Sequence, residues 1–126
     1  MRIGAGLAAI VGFALMAAPA AAQGSEIACE VDPAAGGGSF GGGFVALERD
    51  TSTQDITMTL SGLACANFLG WGSSIVIDVV CGTAKDAGDR SDRLEIDRMT
   101  KRFRLTSIVA GQPEPVREGT CAITVP

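Results

Sequence analysis

The stretch Asp55-Ile56-Thr57-Met58-Thr59-Leu60-Ser61 alternates polar and apolar residues without a break. A period of two sets Ile56, Met58 and Leu60 on one face of an extended strand and the polar residues on the other, the pattern of a sheet with one wet side. Ser74 to Cys81 reads Ser-Ile-Val-Ile-Asp-Val-Val-Cys, a β-branched run with Ile75, Ile77, Val79 and Cys81 on one face and Val76, Asp78 and Val80 on the other. It is expected to be a central strand, with Asp78 as a carboxylate on a largely apolar face that must reach water or a partner.

Working outward, Phe44 to Arg49 is a further short strand, joined to 55–61 through the polar link Asp50 to Gln54. Arg93 to Met99 and Arg102 to Val109 form a second hairpin. A register in which paired positions sum to 201 sets Ile96 against Leu105 and Asp97 against Arg104, apolar on apolar and acid on base. Thr100-Lys101 lacks the Gly or Asn that a two-residue primed turn prefers, which leaves room for a longer loop. The segments around Cys29 and from Thr120 to Val125 open and close the set. About seven short antiparallel strands result, and the expected class is all-β, a small disulfide-stabilised sandwich or barrel. Helical spacing is hard to find, and the one helix candidate is a turn around Leu63 to Phe68. Ala34 to Gly43, with two Gly triplets around Ser39-Phe40, reads as a mobile Gly-rich loop.

Ahead of the strands, Arg2, the apolar run Leu7 to Met16 and the small residues Ala18 to Ala22 have the order of a signal peptide, cut before Gln23. The apolar run is shorter than the roughly 20 residues a spanning helix needs. Residues 1–22 are therefore expected to be a leader, and 23–126 a single β domain, periplasmic or extracellular, with no membrane span in the mature chain. The four cysteines of the chain all fall in that domain, and an even number in a small exported protein suggests two disulfides. Three pairings are possible and sequence does not decide among them; because Cys29 and Cys121 each have apolar neighbours two residues away and lie in the opening and closing segments, the favoured one is Cys29 with Cys121 and Cys65 with Cys81. No C-x-x-C occurs, and the spacings do not suit a zinc site or a redox pair.

Composition excludes several function classes. The chain of 126 residues has 10 Lys plus Arg against 14 Asp plus Glu, and loss of Arg2 with the leader leaves a net charge of -5, unlike a basic nucleic-acid binder. It has no His and no Tyr, which removes the usual general base, the commonest metal ligand and the phenol nucleophile. The Gly-rich segment lacks the Lys-Ser/Thr of a phosphate loop. Asp86, Asp89 and Asp92 lack EF-hand spacing and are interleaved with Lys85, Arg90 and Arg93, as in a solvated loop. The carboxylates Glu48, Asp78, Glu95 and Asp97 have no evident pairing across a cleft. No catalytic residue, metal site or cofactor is expected.

Binding candidates are clearer. Seven of the ten basic residues lie between Lys85 and Arg104, and Arg98, Lys101, Arg102 and Arg104 crowd the tip of the second hairpin. Such a tip suits an anionic protein or envelope surface, or serves as a charged edge against sheet aggregation. Trp71, the only Trp, sits in the apolar turn Phe68-Leu69-Gly70-Trp71-Gly72 and is a contact candidate, as is Phe40 on its Gly-rich tether.

The closing stretch Leu94 to Phe103, followed by Gly119-Thr120-Cys121, resembles the end of small exported bacterial proteins of unknown function. Many of these read Asp-Arg, two residues, then Gly before the second strand, where this chain has Lys101. The likeness covers about a quarter of the mature chain and implies no activity. In size and cysteine usage the domain is also similar to exported β-barrel inhibitors of lysozymes or proteases, an analogy of fold alone. The expected function is an exported binding or interaction module, in its most concrete form an inhibitor of a secreted hydrolase. The alternative is a structural or envelope-associated protein without a small-molecule ligand.

Overall fold

A computed structural model describes residues 24–82 and 89–125. The expected leader and Lys85, Asp86 and Gly88 of the acidic loop lie outside them. The strands are β1 (Ser25–Val31), β2 (Ser39–Glu48), β3 (Gln54–Ser61), β4 (Asn67–Gly72), β5 (Val76–Cys81), β6 (Arg90–Asp97), β7 (Arg102–Val109), β8 (Gln112–Pro113) and β9 (Arg117–Thr124). Each pairs antiparallel with the next from β1 to β8. β9 pairs with β7 over Arg117–Thr120 and with β1 over Gly119–Thr124. This closes β1 to β7 and β9 into an eight-stranded barrel, with two-residue β8 as an extra strand. Closure removes the edges that an open sheet would offer for aggregation.

Alternation sends every second side chain inward. Met58, Phe68, Ile77, Val79, Leu94 and Ile96 are fully buried, and Phe40 meets Phe103 edge to face with ring centroids 5.2 Å apart. Cys29 is bonded to Cys121 directly across the β1–β9 pair, and Cys65 in the β3–β4 loop is bonded to Cys81 at the end of β5. Both pairings agree with the sequence expectation.

Four expectations are corrected. First, the strand count is eight in the barrel plus one, instead of seven, because Asn67–Gly72 is a strand and not a turn. Its alternation was hidden by Gly70 and Gly72, inward positions without side chains. Second, the Gly-rich loop ends at Gly38, and Ser39 to Gly43 belong to β2, where Phe40 is buried. The glycines let β2 lie close to both neighbours: a Cβ on Gly41 would come within 2.5 Å of the Ile27 carbonyl oxygen, and one on Gly42 would run into that of Thr59. Third, no α-helix occurs among the described residues, only the 3₁₀ turn Pro33–Ala35.

Fourth, the β6–β7 register sums to 199, with Ile96 opposite Phe103, Glu95 opposite Arg104 and Asp97 opposite Arg102. The loop is Arg98 to Lys101. Asp97 Oδ1 accepts from the backbone N–H of Met99 at 2.9 Å and of Thr100 at 3.1 Å, the Lys101 N–H donates to the Asp97 carbonyl at 2.7 Å, and Lys101 takes a left-handed φ of 65°. These bonds fit a four-residue loop and leave none to a two-residue turn.

The β2–β3 turn is held similarly. Asp50 Oδ1 accepts from the Ser52 and Thr53 N–H groups at 2.8 and 2.9 Å, and its Oδ2 accepts from Thr53 Oγ1 at 2.8 Å. Donation from the Ser52 N–H, then from Thr53, holds the Asp50 pKa down at about 2 against an ordinary 3.8. A depressed folded pKa contributes stability that is present above the unfolded value and lost as pH falls through the folded one. The carboxyl-carbon NMR signal of Asp50 is therefore expected to titrate with a midpoint near 2. A midpoint at the ordinary Asp value would mean that the turn is not capped in this way.

Candidate functional site

The outer wall of the barrel contains the strongest candidate surface. Along β4, Phe68 points inward, so Leu69 and Trp71 point out. Register sets Thr57 of β3 and Val80 of β5 on either side of Leu69, with Val45 of β2 beyond Thr57. In the next row, Asp55 and Asp78 lie on either side of Trp71, with Leu47 beyond Asp55. Val45, Leu47, Leu69, Trp71 and Val80 are all exposed, Leu69 by 62% and Trp71 by 37%. Scattered exposed apolar residues are ordinary, but five on adjacent strands around the only Trp form a patch.

The two carboxylates beside Trp71 are each held by a guanidinium. Arg49 donates to Asp55 Oδ1 through Nε at 2.9 Å and Nη2 at 2.6 Å, leaving Asp55 Oδ2 out of that contact. Arg93 grips Asp78 with two bonds, Nε to Oδ1 at 2.9 Å and Nη2 to Oδ2 at 2.6 Å, and lies 3.8 Å from Glu95. Hydrogen bonding to Asp78 raises the Arg93 pKa further, so this guanidinium stays charged. The costly carboxylate expected at Asp78 is thus paid for by β6.

The basic tip is largely engaged within the molecule. Arg98 is half-buried and donates its Nη1 to the Ser73 carbonyl at 2.9 Å, while its backbone N–H donates to that of Ile75 at 2.7 Å, bracing two turns together. Arg102 donates to both oxygens of Asp32, at 3.2 and 2.6 Å. That bond holds the Asp32 carboxyl below its ordinary value and raises the Arg102 pKa. Arg104 lies 3.4 Å from Glu118. Lys101 is exposed in the turn. Trp71 and Arg104 share one cross-strand row, with Asp78 and Glu95 between them, so an uninterrupted aromatic and cationic surface is not formed. Phe40, expected as a docking side chain on a loop, is 5% exposed inside the barrel and is withdrawn as a contact.

Asp92, read as part of a solvated acidic loop, is also relocated. It is 3% exposed and points into the barrel, where it accepts a short hydrogen bond from Ser107 Oγ and one from Arg90 Nε at 2.8 Å. Among the described residues no group of three or more His, Cys, Asp or Glu could hold a metal ion. A trough of about 850 Å³ runs over β9, β1 and β2, floored by Ala28, Gly41 and Ala122 and flanked by Glu26 and Glu30. Its lining has no cation, and its one aromatic residue, Phe40, is turned into the barrel core.

Nothing local in the sequence marks Asp55 or the apolar residues Val45, Leu47, Leu69 and Val80 as contacts. Their alternation was visible, but assembling them around Trp71 requires β4 to be a strand. Together these features define a class: a closed eight-stranded antiparallel barrel with two disulfides and a Trp-centred apolar outer wall. Comparison with protein-family models, with curated proteins and with solved structures finds no match to this chain.

Proposed function

We propose that this chain is an exported binding module, without catalytic machinery of its own, that takes its ligand on the Trp71 wall. The supporting observation is that Val45, Leu47, Leu69, Trp71 and Val80 are exposed side by side on adjacent strands of the barrel wall. Apolar patches centred on an aromatic residue are where binding energy concentrates. Two disulfides fit an oxidising compartment, periplasmic or extracellular. Among the described residues no helix is long and apolar enough to cross a membrane. The basic turn supports an anionic partner less well, because Arg98, Arg102 and Arg104 already have partners on the barrel. An inhibitor of a secreted hydrolase would use the same wall, together with contacts beyond it.

Photo-cross-linking in the producing cells tests this reading. A p-benzoylphenylalanine probe at Leu69 is expected to give an adduct that disappears with Trp71→Ala, while a probe at Ile108, likewise apolar and exposed but on β7, gives none. The absence of an adduct at Leu69, as expected for a structural protein that takes no ligand, would overturn the assignment. So would an adduct at Leu69 that persists in Trp71→Ala.

A further inference from the structure

We infer that the cluster of Trp71 with the ion pairs Arg49–Asp55 and Arg93–Asp78 is a binding site for a neutral saccharide, an inference that rests on the Trp71 wall being the ligand surface. The chemistry of the cluster selects its occupant by elimination. A charged ligand gains little, because the charge of each carboxylate beside Trp71 is already balanced by a guanidinium at 2.6 Å. A purely apolar ligand covers Trp71, Leu69 and Leu47 but also strips water from two ion pairs, whose unused donors and acceptors then go unsatisfied. The occupant that meets both demands has an apolar face for the indole and hydroxyl groups around its rim. A pyranose ring has that shape.

The spacing agrees. Neighbouring strands lie about 4.8 Å apart, so the two carboxylates flanking Trp71 are separated by roughly 10 Å, enough for one sugar ring between them with hydroxyls reaching each side. Asp55 Oδ2 is outside the Arg49 contact and is open to accept from such a hydroxyl. The guanidiniums of Arg49 and Arg93, both half exposed, have further N–H groups to donate to sugar oxygens. Every one of these groups sits on a β-strand of a closed barrel or beside one, and Arg–Asp bonding holds the polar ones in place before any ligand arrives, which limits the ordering cost of binding.

A second copy of the chain fits less well. The wall spans four strands, about 14 Å across, and two rows of side chains, about 7 Å along the strands. That is far short of the roughly 800 Å² per partner buried by a stable protein interface. Extending a face-to-face dimer past the wall would bring the acidic remainder of two chains of net charge -4 together.

The sole Trp makes the test direct, since the protein has one indole N–H signal in a ¹H–¹⁵N spectrum. Cellotetraose, chitotetraose, maltotetraose and mannotetraose are titrated separately to about 10 mM, a range that detects millimolar affinity. At least one is expected to shift the Trp71 indole signal saturably. Asp55→Asn, at an exposed site where the fold should survive, is expected to weaken that binding about tenfold, the effect of losing one hydrogen bond to a charged acceptor. Ile108→Ser, exposed on β7 and outside the wall, should change it less than twofold on the same scale.

No indole shift with any of the four sugars overturns the inference, as does a shift that Asp55→Asn leaves unchanged. If the sugars fail while the Leu69 probe captures a protein, or a second copy of this chain, the saccharide assignment falls and the binding wall stands. If the sugars fail and the Leu69 probe captures nothing, both fall.

Discussion

Replacing Cys29 and Cys121 together by Ala should destabilise the protein by about 4.6 kcal/mol, and replacing Cys65 and Cys81 by about 3 kcal/mol, on the chain-entropy argument for loop closure. The difference comes from the lengths of chain enclosed, 92 and 16 residues in sequence separation. In this barrel the longer bridge also sits on the closing seam. β9 changes partners at Gly119 and Thr120, from β7 to β1, and Cys29–Cys121 begins one residue further along. There is little slack at the switch: a Cβ on Gly119 would run into the Glu30 carbonyl oxygen and approach the Phe103 ring to 2.7 Å. Thermal unfolding followed by near-ultraviolet circular dichroism should show a fall in Tm of roughly 20–35 °C for the first double variant. A smaller loss from the Cys29–Cys121 pair than from Cys65–Cys81 would show that closure of β9 does not limit stability.

The second large effect is expected from Arg90→Met. Asp92 is 3% exposed, and Arg90 is its cationic partner, with only 17% of its side chain exposed. Hydrogen bonding to Asp92 raises the Arg90 pKa, which keeps the guanidinium charged. Removing the guanidinium leaves a buried carboxylate whose remaining partner is the Ser107 hydroxyl, a defect that costs about 3–5 kcal/mol. Replacing both members, Arg90→Met with Asp92→Leu, should restore most of that, because an apolar pair has no charge to desolvate. Urea denaturation of the two single variants and the double one completes the cycle. If Arg90→Met costs less than about 1 kcal/mol, the pair behaves as a surface contact instead.

Asp92 illustrates where reading the chain falls short. Asp86, Asp89 and Asp92 look alike in sequence, three acids at equal spacing among cations. Only the end of β6 turns Asp92 inward, opposite Ser107, and that pairing belongs to the sheet and not to the local pattern. The hairpin register has the same origin. Sums of 199 and 201 differ by a shift of two residues along one strand, which keeps every side chain on its original face. Alternation is blind to that choice, and the hydrogen bonds of Asp97 inside the turn decide it.

The same limit explains the candidate site. The type and isolation of Trp71 mark it as a contact, but Gly70 and Gly72 erase the inward half of the alternation and give its segment the look of a turn. Once Asn67–Gly72 is a strand, Asp55 and Asp78 come to its two sides from segments 16 and 7 residues away in sequence. The basic tip failed in the opposite way. Its charges were all visible, and their partners Asp32, Glu118 and the Ser73 carbonyl lie on other strands and turns, so that only the folded barrel neutralises them.

By itself, the sequence determined the all-β class and most of the strands with their inward faces, because alternation is a local property of the chain, and it narrowed the cysteines to three possible pairings, of which the fold forms the expected one. Tertiary structure alone decided the closure of the barrel at β9, the register of β6 on β7, the burial of Phe40 and Asp92, and the row that surrounds Trp71. Those depend on which strands become neighbours. Pairing is set by the shared core and by backbone hydrogen bonds between segments far apart in sequence, and no short stretch of residues encodes it.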